Sequence, residues 1–337
     1  MDRNKYLMQS VSKTDKLIEI GPSLNPMAPK SDQWLSFSID HADQAGLRDK
    51  YKNDPSVDPL KIERVDFVWT QGSLSDAVPD EHLNSFDVFL ASHVIEHFPN
   101  VVDFLGSADK LTHAQGRMIL VVPDKRMCFD MFRSLSSTGD AVAAHLEKRA
   151  RHACANVFDF MSKAVLKNGL PGWVMGNQTP TNPLVPDLET AHSQALVAGQ
   201  GIYIDAHAWV FCPASFQLMM IELARLGYTD WKVDRCEATQ ETEFYAWLSK
   251  SGKAYYQNME AQAFYDLRLG LMNQSILELS EQRKTIPTEV DQAVLASEAT
   301  QMAQLRVETL RLQAEIDRIH ASKWLCLRRG IKKYLFV

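Results

Sequence analysis

Short apolar runs alternate with helix-like stretches through the first half of the chain, the pattern of a parallel sheet wound by helices. The first run, Lys16 to Ile20, ends at Gly21-Pro22, and the second, Trp34 to Ile39, ends at Asp40. A third, Glu63 to Trp69, ends near Gly72, and a fourth, Phe86 to Ala91, is followed by Ser92 and His93. A helix is predicted from Val101 to Leu111; Gly116 then opens a fifth strand, Arg117 to Val122, stopped by Pro123. Five strands with short crossovers predict a doubly wound sheet.

From Asp124 to about Gln200 the strand rhythm disappears. Helical material, Gly139 to Phe160, precedes a Pro/Gly/Asn-rich stretch, Asn168 to Pro186. An insertion over the sheet's carboxyl edge, where α/β folds hold ligands, is expected at 124–200. Pro213 then starts a helix to Leu226, with Gly227 where a C-terminal cap belongs. Two strands, Trp231 to Cys236 and Glu243 to Leu248, close the domain as a hairpin. The fold expected for residues 1–250 is therefore α/β, a Rossmann-like seven-stranded sheet with a helical insertion. A C-terminal helical arm at 251–322 follows, broken around Thr285-Ile286-Pro287. Within it Leu295, Met302, Thr309 and Ile316 form one row of a heptad register, with Glu298, Leu305, Leu312 and Ile319 in the other. Homo-oligomerisation through a coiled coil and packing back on the domain both fit that pattern.

The net charge of -6 argues against a general nucleic-acid binder, which needs a basic surface. Five scattered cysteines without a CxxC pair give neither a disulfide framework nor a cysteine zinc site. The opening residues, MDRNKYLMQS, lack a signal peptide's apolar region, and no run approaches the ~20 apolar residues that span a bilayer. A cytoplasmic location is expected. One region departs from the acidic balance: 323–337 carries Lys323, Arg328, Arg329, Lys332 and Lys333 with Trp324, Leu325, Leu327, Ile331, Tyr334, Leu335 and Phe336 between them. Such a basic, aromatic-bearing tail suits peripheral contact with an anionic inner-membrane surface, or docking on a partner protein.

Gly21 lets a nucleotide-like cofactor approach the backbone where the first strand ends. Asp40, nineteen residues on, can accept hydrogens from both ribose hydroxyls. The dinucleotide fingerprint G-x-G-x-x-G is absent, because Pro22-Ser23-Leu24-Asn25-Pro26 follows Gly21. S-adenosylmethionine (SAM) has no phosphate to place there. The segments IEIGPSLNP, DFVWTQGSL, FDVFLASHVIEHFPN, RMILVVPDKR and YIDAHAWVFCPASF together resemble class I SAM-dependent methyltransferases, particularly those associated with bacterial cell-surface polysaccharide synthesis. The resemblance runs from about Leu17 to Leu248. It implies that Glu19 and Gly21 line the methionine end of SAM and that Asp40 holds the ribose. Gly72, Ser73 and Leu74 would then border the adenine, with Ser92 and His93 beside the sulfonium. The family's turn commonly holds further glycines where Ser23 and Asn25 stand.

Methyl transfer to a hydroxyl calls for a base, and His97 and His207, with Asp205, are the candidate catalytic residues. Asp205, His207 and Trp209 alternate, so an extended segment would present a His-Asp pair and an aromatic wall to a sugar or other small polar acceptor. Lys125 and Arg126, after the fifth strand, could bind an anionic acceptor. His93, Glu96 and His97 form a His-x-x-Glu-His cluster of metal-ligand types. Some methyltransferases with a similar Glu-x-x-Glu-His string bind a divalent metal there, but here His93 replaces the first Glu, and no metal is expected; His97, on a strand-to-helix turn, could equally cap or bond backbone. The expected function is O-methylation of a surface-polysaccharide sugar or its precursor. The alternative is a non-catalytic, methyltransferase-like scaffold that tethers a glycan-biosynthesis complex at the membrane.

Overall fold

The computed structural model describes residues 3–54, 57–167, 170–172, 181–185, 187–239, 241–283, 302–309 and 311–312. Helix α1 (Arg3–Leu7) precedes β1 (Leu17–Ile20), β2 (Ser36–Asp40), α2 (Gln44–Tyr51), β3 (Phe67–Val68), β4 (Phe86–Ser92), α3 (Val101–Leu111) and β5 (Thr112–Pro123). Next come α4 (Thr138–Leu146), α5 (Cys154–Lys163), β6 (Val165–Lys167), β7 (Leu170–Pro171), β8 (Thr181–Pro183) and α6 (Leu188–Gly199). The chain continues through α7 (Pro213–Leu226), β9 (Trp231–Ala238), β10 (Glu243–Lys250), α8 (Gly252–Gln257) and α9 (Ala261–Arg283).

Seven strands make one sheet in the order β3-β2-β1-β4-β5-β10-β9. The strands from β3 to β5 pair in parallel, while β10 runs antiparallel to both β5 and β9. The predicted α/β sheet with a hairpin finish is thus the observed one. The direction of winding reverses between β1 and β4, which opens a crevice at their carboxyl ends.

Hydrophobic runs explain the centre of this sheet. Phe86, Val88, Phe89 and Leu90 of β4 and Met118 to Val122 of β5 are buried on both faces, as strands covered by helices must be. One face packs Phe104 and Leu105 of α3 and Phe216, Met219 and Leu223 of α7. The other, smaller core joins Leu7 and Met8 to Leu17, Val88, Leu90, Ile119 and Val121. Asn100 caps α3 by accepting the Asp103 N–H at 3.2 Å, and Gly227 ends α7 at a φ of 86°.

Several elements differ from expectation. Strand β3 spans only Phe67–Val68, because the Asp66 carboxylate itself takes the Ser38 N–H (2.8 Å). Strand β5 begins earlier, at Thr112, and carries Gly116 past a register shift opposite Phe86 and Val88. The helix expected over Gly139 to Phe160 is two, with Lys148 in a left-handed turn between them (φ 51°). The three-stranded sheet β7-β6-β8 and helix α6 were not foreseen. The buried side of α6 consists of Ala191, Ala195 and Ala198, too small to mark an apolar period in the sequence.

In the C-terminal arm, Phe264, Leu267 and Leu271 of α9 pack on Ile221 and Ala224 of α7. Of the heptad positions, Met302, Leu305, Thr309 and Leu312 are exposed. Leu295, Glu298, Ile316, Ile319, the expected break at Thr285 to Pro287 and the basic tail Lys323 to Val337 lie outside the described residues. No described helix is long and apolar enough to cross a membrane.

Candidate active site

The first side of the crevice is built by backbone. Gly21 leaves β1 at a φ of 61° and donates its N–H to Ile39 O at 2.8 Å. A Cβ at this position would lie 3.3 Å from Val94 Cγ2, so the turn after β1 presses on the turn after β4. The next turn brings Ser23 N–H to Asp40 Oδ2 at 3.1 Å. Asp40 Oδ1 accepts from the His41 N–H (2.8 Å) and its ring Nδ1 (2.6 Å). Glu19 is buried beneath the same loop, where its two oxygens accept from Met27 N–H (2.7 Å) and Ala28 N–H (3.2 Å). Burial pushes the Glu19 carboxyl up to about 7, against the pull of those two N–H groups. Glu19, Gly21 and Asp40 therefore come together at these strand ends, with Glu19 shaping the loop from inside.

The turn after β3 joins them through the Trp69 N–H, which donates to Asp40 O at 2.8 Å. Here Gly72 has a φ of 74°, and the Ser73 hydroxyl donates to Asp103 Oδ1 at 2.6 Å. Leu74 is buried in the main core and contributes packing there. Trp69 stacks on Phe98 with ring centroids 5.1 Å apart, giving this corner an aromatic floor.

At the end of β4, Ser92 Oγ accepts from Arg3 Nη2 at 2.8 Å. His93 sits in the left-handed region, φ 53°, with Nε2 at 2.7 Å from Glu243 Oε2. Arg3 Nε donates to the other Glu243 oxygen at 2.6 Å. Burial raises the Glu243 carboxyl, but the bonds to His93 and Arg3 outweigh it and hold the group down at about 2. Sequence reasoning missed Arg3 and Glu243. The signal for Glu243 was its register opposite Pro123 at the active end of β5, which only the sheet pairing reveals.

The far side of the crevice is built by side chains. Glu96 and His97 lie on a single turn, Ile95–His97. The segment after Tyr203 runs alongside, its Ala208 N–H donating to Glu96 O at 2.6 Å. His97, His207 and Asp205 are thereby brought together, but their pairing differs from expectation. Asp205 partners His97 Nδ1 at 2.9 Å, and His207 Nδ1 lies 2.5 Å from Asp130 Oδ2. The expected Asp205–His207 pair does not form, because the insertion supplies Asp130 to His207. Trp209 is likewise no wall of an acceptor pocket: it is buried and donates Nε1–H to Phe98 O at 2.6 Å. Phe129 and Phe160 flank His207 instead, at ring centroids of 4.8 and 5.7 Å. The cations after β5 are also committed inward. Arg126 grips Asp124 with Nε (2.9 Å) and Nη2, and Lys125 Nζ donates to Met131 O at 2.8 Å.

Electrostatics concentrate on the same side. Burial works against a charge on His97, but the bond to Asp205 and the fields of Glu96, Asp205 and Asp130 win, and its pKa is raised. The His97 bond, in turn, holds the Asp205 carboxyl well below the usual carboxylate range. Burial pushes His152 down to about 4, and neither ring nitrogen has a hydrogen-bond partner among the described residues. Glu96 is 1% exposed, and among the described residues neither of its oxygens has a hydrogen-bond donor. Glu96, His97 and His207 each place one ligand-type atom within 4.8 Å of the others. Asp130 and His152 could not be found from sequence, since the insertion holding them shows no periodicity.

Neither a family model nor a curated protein matches the sequence. Solved structures with some likeness in fold include a Rhodobacter sphaeroides protein named as a Zn-dependent alcohol dehydrogenase (12% identity, 74% of this chain and 90% of that chain, TM-score 0.40). A SAM-dependent methyltransferase from Aquifex aeolicus is similar at 9% identity over 73% of this chain and 88% of that one, TM-score 0.37. The CcbJ methyltransferase from Streptomyces caelestis is similar at 10% identity over 73% and 93%, TM-score 0.39. Identities this low and TM-scores this small decide neither cofactor nor reaction.

Proposed function

We propose that this chain is a SAM-dependent methyltransferase acting on an oxygen of a small polar or glycan acceptor, a surface-polysaccharide sugar or its precursor. One observation carries the cofactor assignment. The crevice between β1 and β4 is closed by a turn whose single glycine lies against Val94, with Asp40 at the neighbouring strand end and no glycine run to seat a pyrophosphate. The acceptor assignment rests on the histidines across the crevice, together with the sequence resemblance.

The chemistry is an in-line displacement. A lone pair of the acceptor oxygen forms the new C–O bond as the C–S bond breaks, and its electron pair returns to sulfur. The cationic sulfonium becomes a neutral thioether, and the hydroxyl proton passes to a base. His97 suits that role: Asp205 holds Nδ1–H, which leaves Nε2 with a lone pair. The protein's main contribution is orientation of acceptor against methyl carbon.

A non-catalytic scaffold is favoured by one specific observation: Asp40 already accepts from Ser23 and His41, the acceptor capacity a ribose would need. Isothermal titration of the purified protein with SAM and with its demethylated product decides between the two. The methyltransferase reading expects micromolar binding of both, weakened at least 100-fold in Asp40→Ala. Absence of binding to either ligand overturns it in favour of the scaffold.

A further inference from the structure

Glu96 presents a problem that its own surroundings do not solve. Both carboxylate oxygens are sealed from water, and neither accepts a hydrogen bond from any described residue. A buried unpaired carboxylate costs several kcal/mol unless a cation or donors meet it. Three imidazoles surround it: Oε1 lies 3.7 Å from His93 Nδ1, 3.9 Å from His97 Nε2 and 4.0 Å from His207 Nε2. All three distances are too long for hydrogen bonds. They place four ligand-type groups around one common point.

The orientation of two of these rings is fixed from behind. Asp205 takes Nδ1–H of His97, and Asp130 takes Nδ1–H of His207. Each ring therefore turns its Nε2 toward Glu96, and a neutral imidazole held in this way offers that nitrogen's lone pair to a cation placed between them. Asp130 is itself anchored, since Arg133 Nη1 donates to its Oδ1 at 2.8 Å and Arg133 Nη2 to His207 O at 2.8 Å. Carboxylates behind histidines, fixing tautomer and ring plane, are the usual outer support of metal-binding imidazoles.

We infer that Glu96, His97 and His207 hold one divalent transition-metal cation, of which Zn2+ is the probe of choice. Two neutral imidazoles and a carboxylate are the donor types such an ion takes. Bonds of about 2.1 Å require these donors to draw in by roughly 1 Å from their present spacing, a side-chain adjustment. His93 is the lesser candidate, because its Nε2 is held by Glu243. The expectation of no metal had weighed His93, Glu96 and His97 alone. His207, far downstream and brought in by the segment between α6 and α7, is the ligand that the local string lacks. The side chain of His97 is 34% exposed, so solvent reaches this edge of the cluster. If methyl transfer is also correct, a free coordination position would take the acceptor oxygen, and the cation would lower the hydroxyl's pKa so that its proton leaves to water; His97, with Nε2 on the ion, would then not act as the base. The metal site itself does not rest on that reading.

The test uses the full chain, stripped with chelator and titrated without SAM, so its result is independent of whether SAM binds. Zn2+ is followed by calorimetry, and Co2+ by the visible absorption of the protein-bound ion. One equivalent with submicromolar affinity is expected. Glu96→Gln and His207→Gln should each weaken binding at least 100-fold, and Asp130→Asn, which touches no proposed ligand atom but weakens the support of His207 along with the Arg133 ion pair, about 10- to 100-fold. Absence of stoichiometric binding by the wild type overturns the site. So does wild-type affinity in Asp130→Asn together with either ligand variant. If a ligand variant fails to fold, Asp130→Asn against wild type carries the decision alone.

Discussion

The two sides of the crevice are made of different material. On the β1–β2 side, buried carboxylates satisfy backbone. Glu19 takes the N–H groups of Met27 and Ala28, and Asp40 takes those of Ser23 and His41. On the Glu96 side, buried groups meet other side chains drawn from three separate segments, and Glu96 itself is left without a donor. The first arrangement is a loop holding its own shape. The second is organised around what it is to bind. Position, burial and carboxylate chemistry are shared, so the difference lies in whether the protein or a ligand completes the hydrogen bonding.

The largest effect that separates the two sides is a dependence of stability on pH through Glu19. Its folded-state pKa is raised to about 7 from an ordinary 4.5. A raised acid favours the fold fully below the unfolded value, and that contribution is lost as pH climbs through the folded one. Linkage puts the loss at about 3 kcal/mol between pH 4.5 and 7.5. Other carboxylates here are shifted downward, so the total curve mixes signs. The difference between wild type and Glu19→Gln isolates the effect. In denaturant titrations at several pH values the variant should gain about 3 kcal/mol on the wild type across that window. A flat difference would mean that the two N–H bonds, and not burial, govern Glu19.

Legibility in the sequence followed the same division. Strands β1, β2, β4 and β5 were readable because continuous apolar runs ended at Gly21, Asp40, Ser92 and Pro123. Helix α7 announced itself by Pro213 and Gly227. The backbone-built side was accordingly found early, with Glu19, Gly21 and Asp40 in one turn-and-strand pattern. The side-chain-built side was half found. His97, Asp205 and His207 stood out as chemistry-bearing residues near strand ends, yet their partners were misassigned. Asp130 follows β5 in a stretch with no period, and Glu243 owes its position to pairing with Pro123. Such partnerships depend on long-range register and packing, which local spacing does not encode.

A change of opposite sign is expected across the crevice. Replacing Glu96 by Met in metal-free protein removes a buried carboxylate that has no donor and fills the space with an apolar side chain of similar length. Thermal unfolding in chelator should show stabilisation by about 1–2 kcal/mol, as when an unsatisfied buried charge is deleted. The gain should vanish, or reverse, when wild type and variant are compared with Zn2+ present. Destabilisation in chelator would show that the surrounding histidines already neutralise Glu96 as cations, and the contrast between the two sides would fail.

The smallest effect tests the claim that backbone shapes the first side. Gly21→Ala places a Cβ on a residue at a φ of 61°, 3.3 Å from Val94 Cγ2. The left-handed conformation costs an L-residue about 1 kcal/mol, and β-branched Val94 has little χ1 freedom to retreat. A loss of about 1–2 kcal/mol is expected in chemical denaturation. Gly106, inside α3, is the matched control: a Cβ there meets nothing within 4 Å, so Gly106→Ala should stabilise by about 0.5–1 kcal/mol through helix propensity. The same alanine thus moves stability in opposite directions at two glycines of one domain. If Gly21→Ala were neutral, the turn after β1 would have room to relax. The close approach of β1 and β4, on which the cofactor assignment depends, would then be a weaker constraint than Gly21 and Val94 make it.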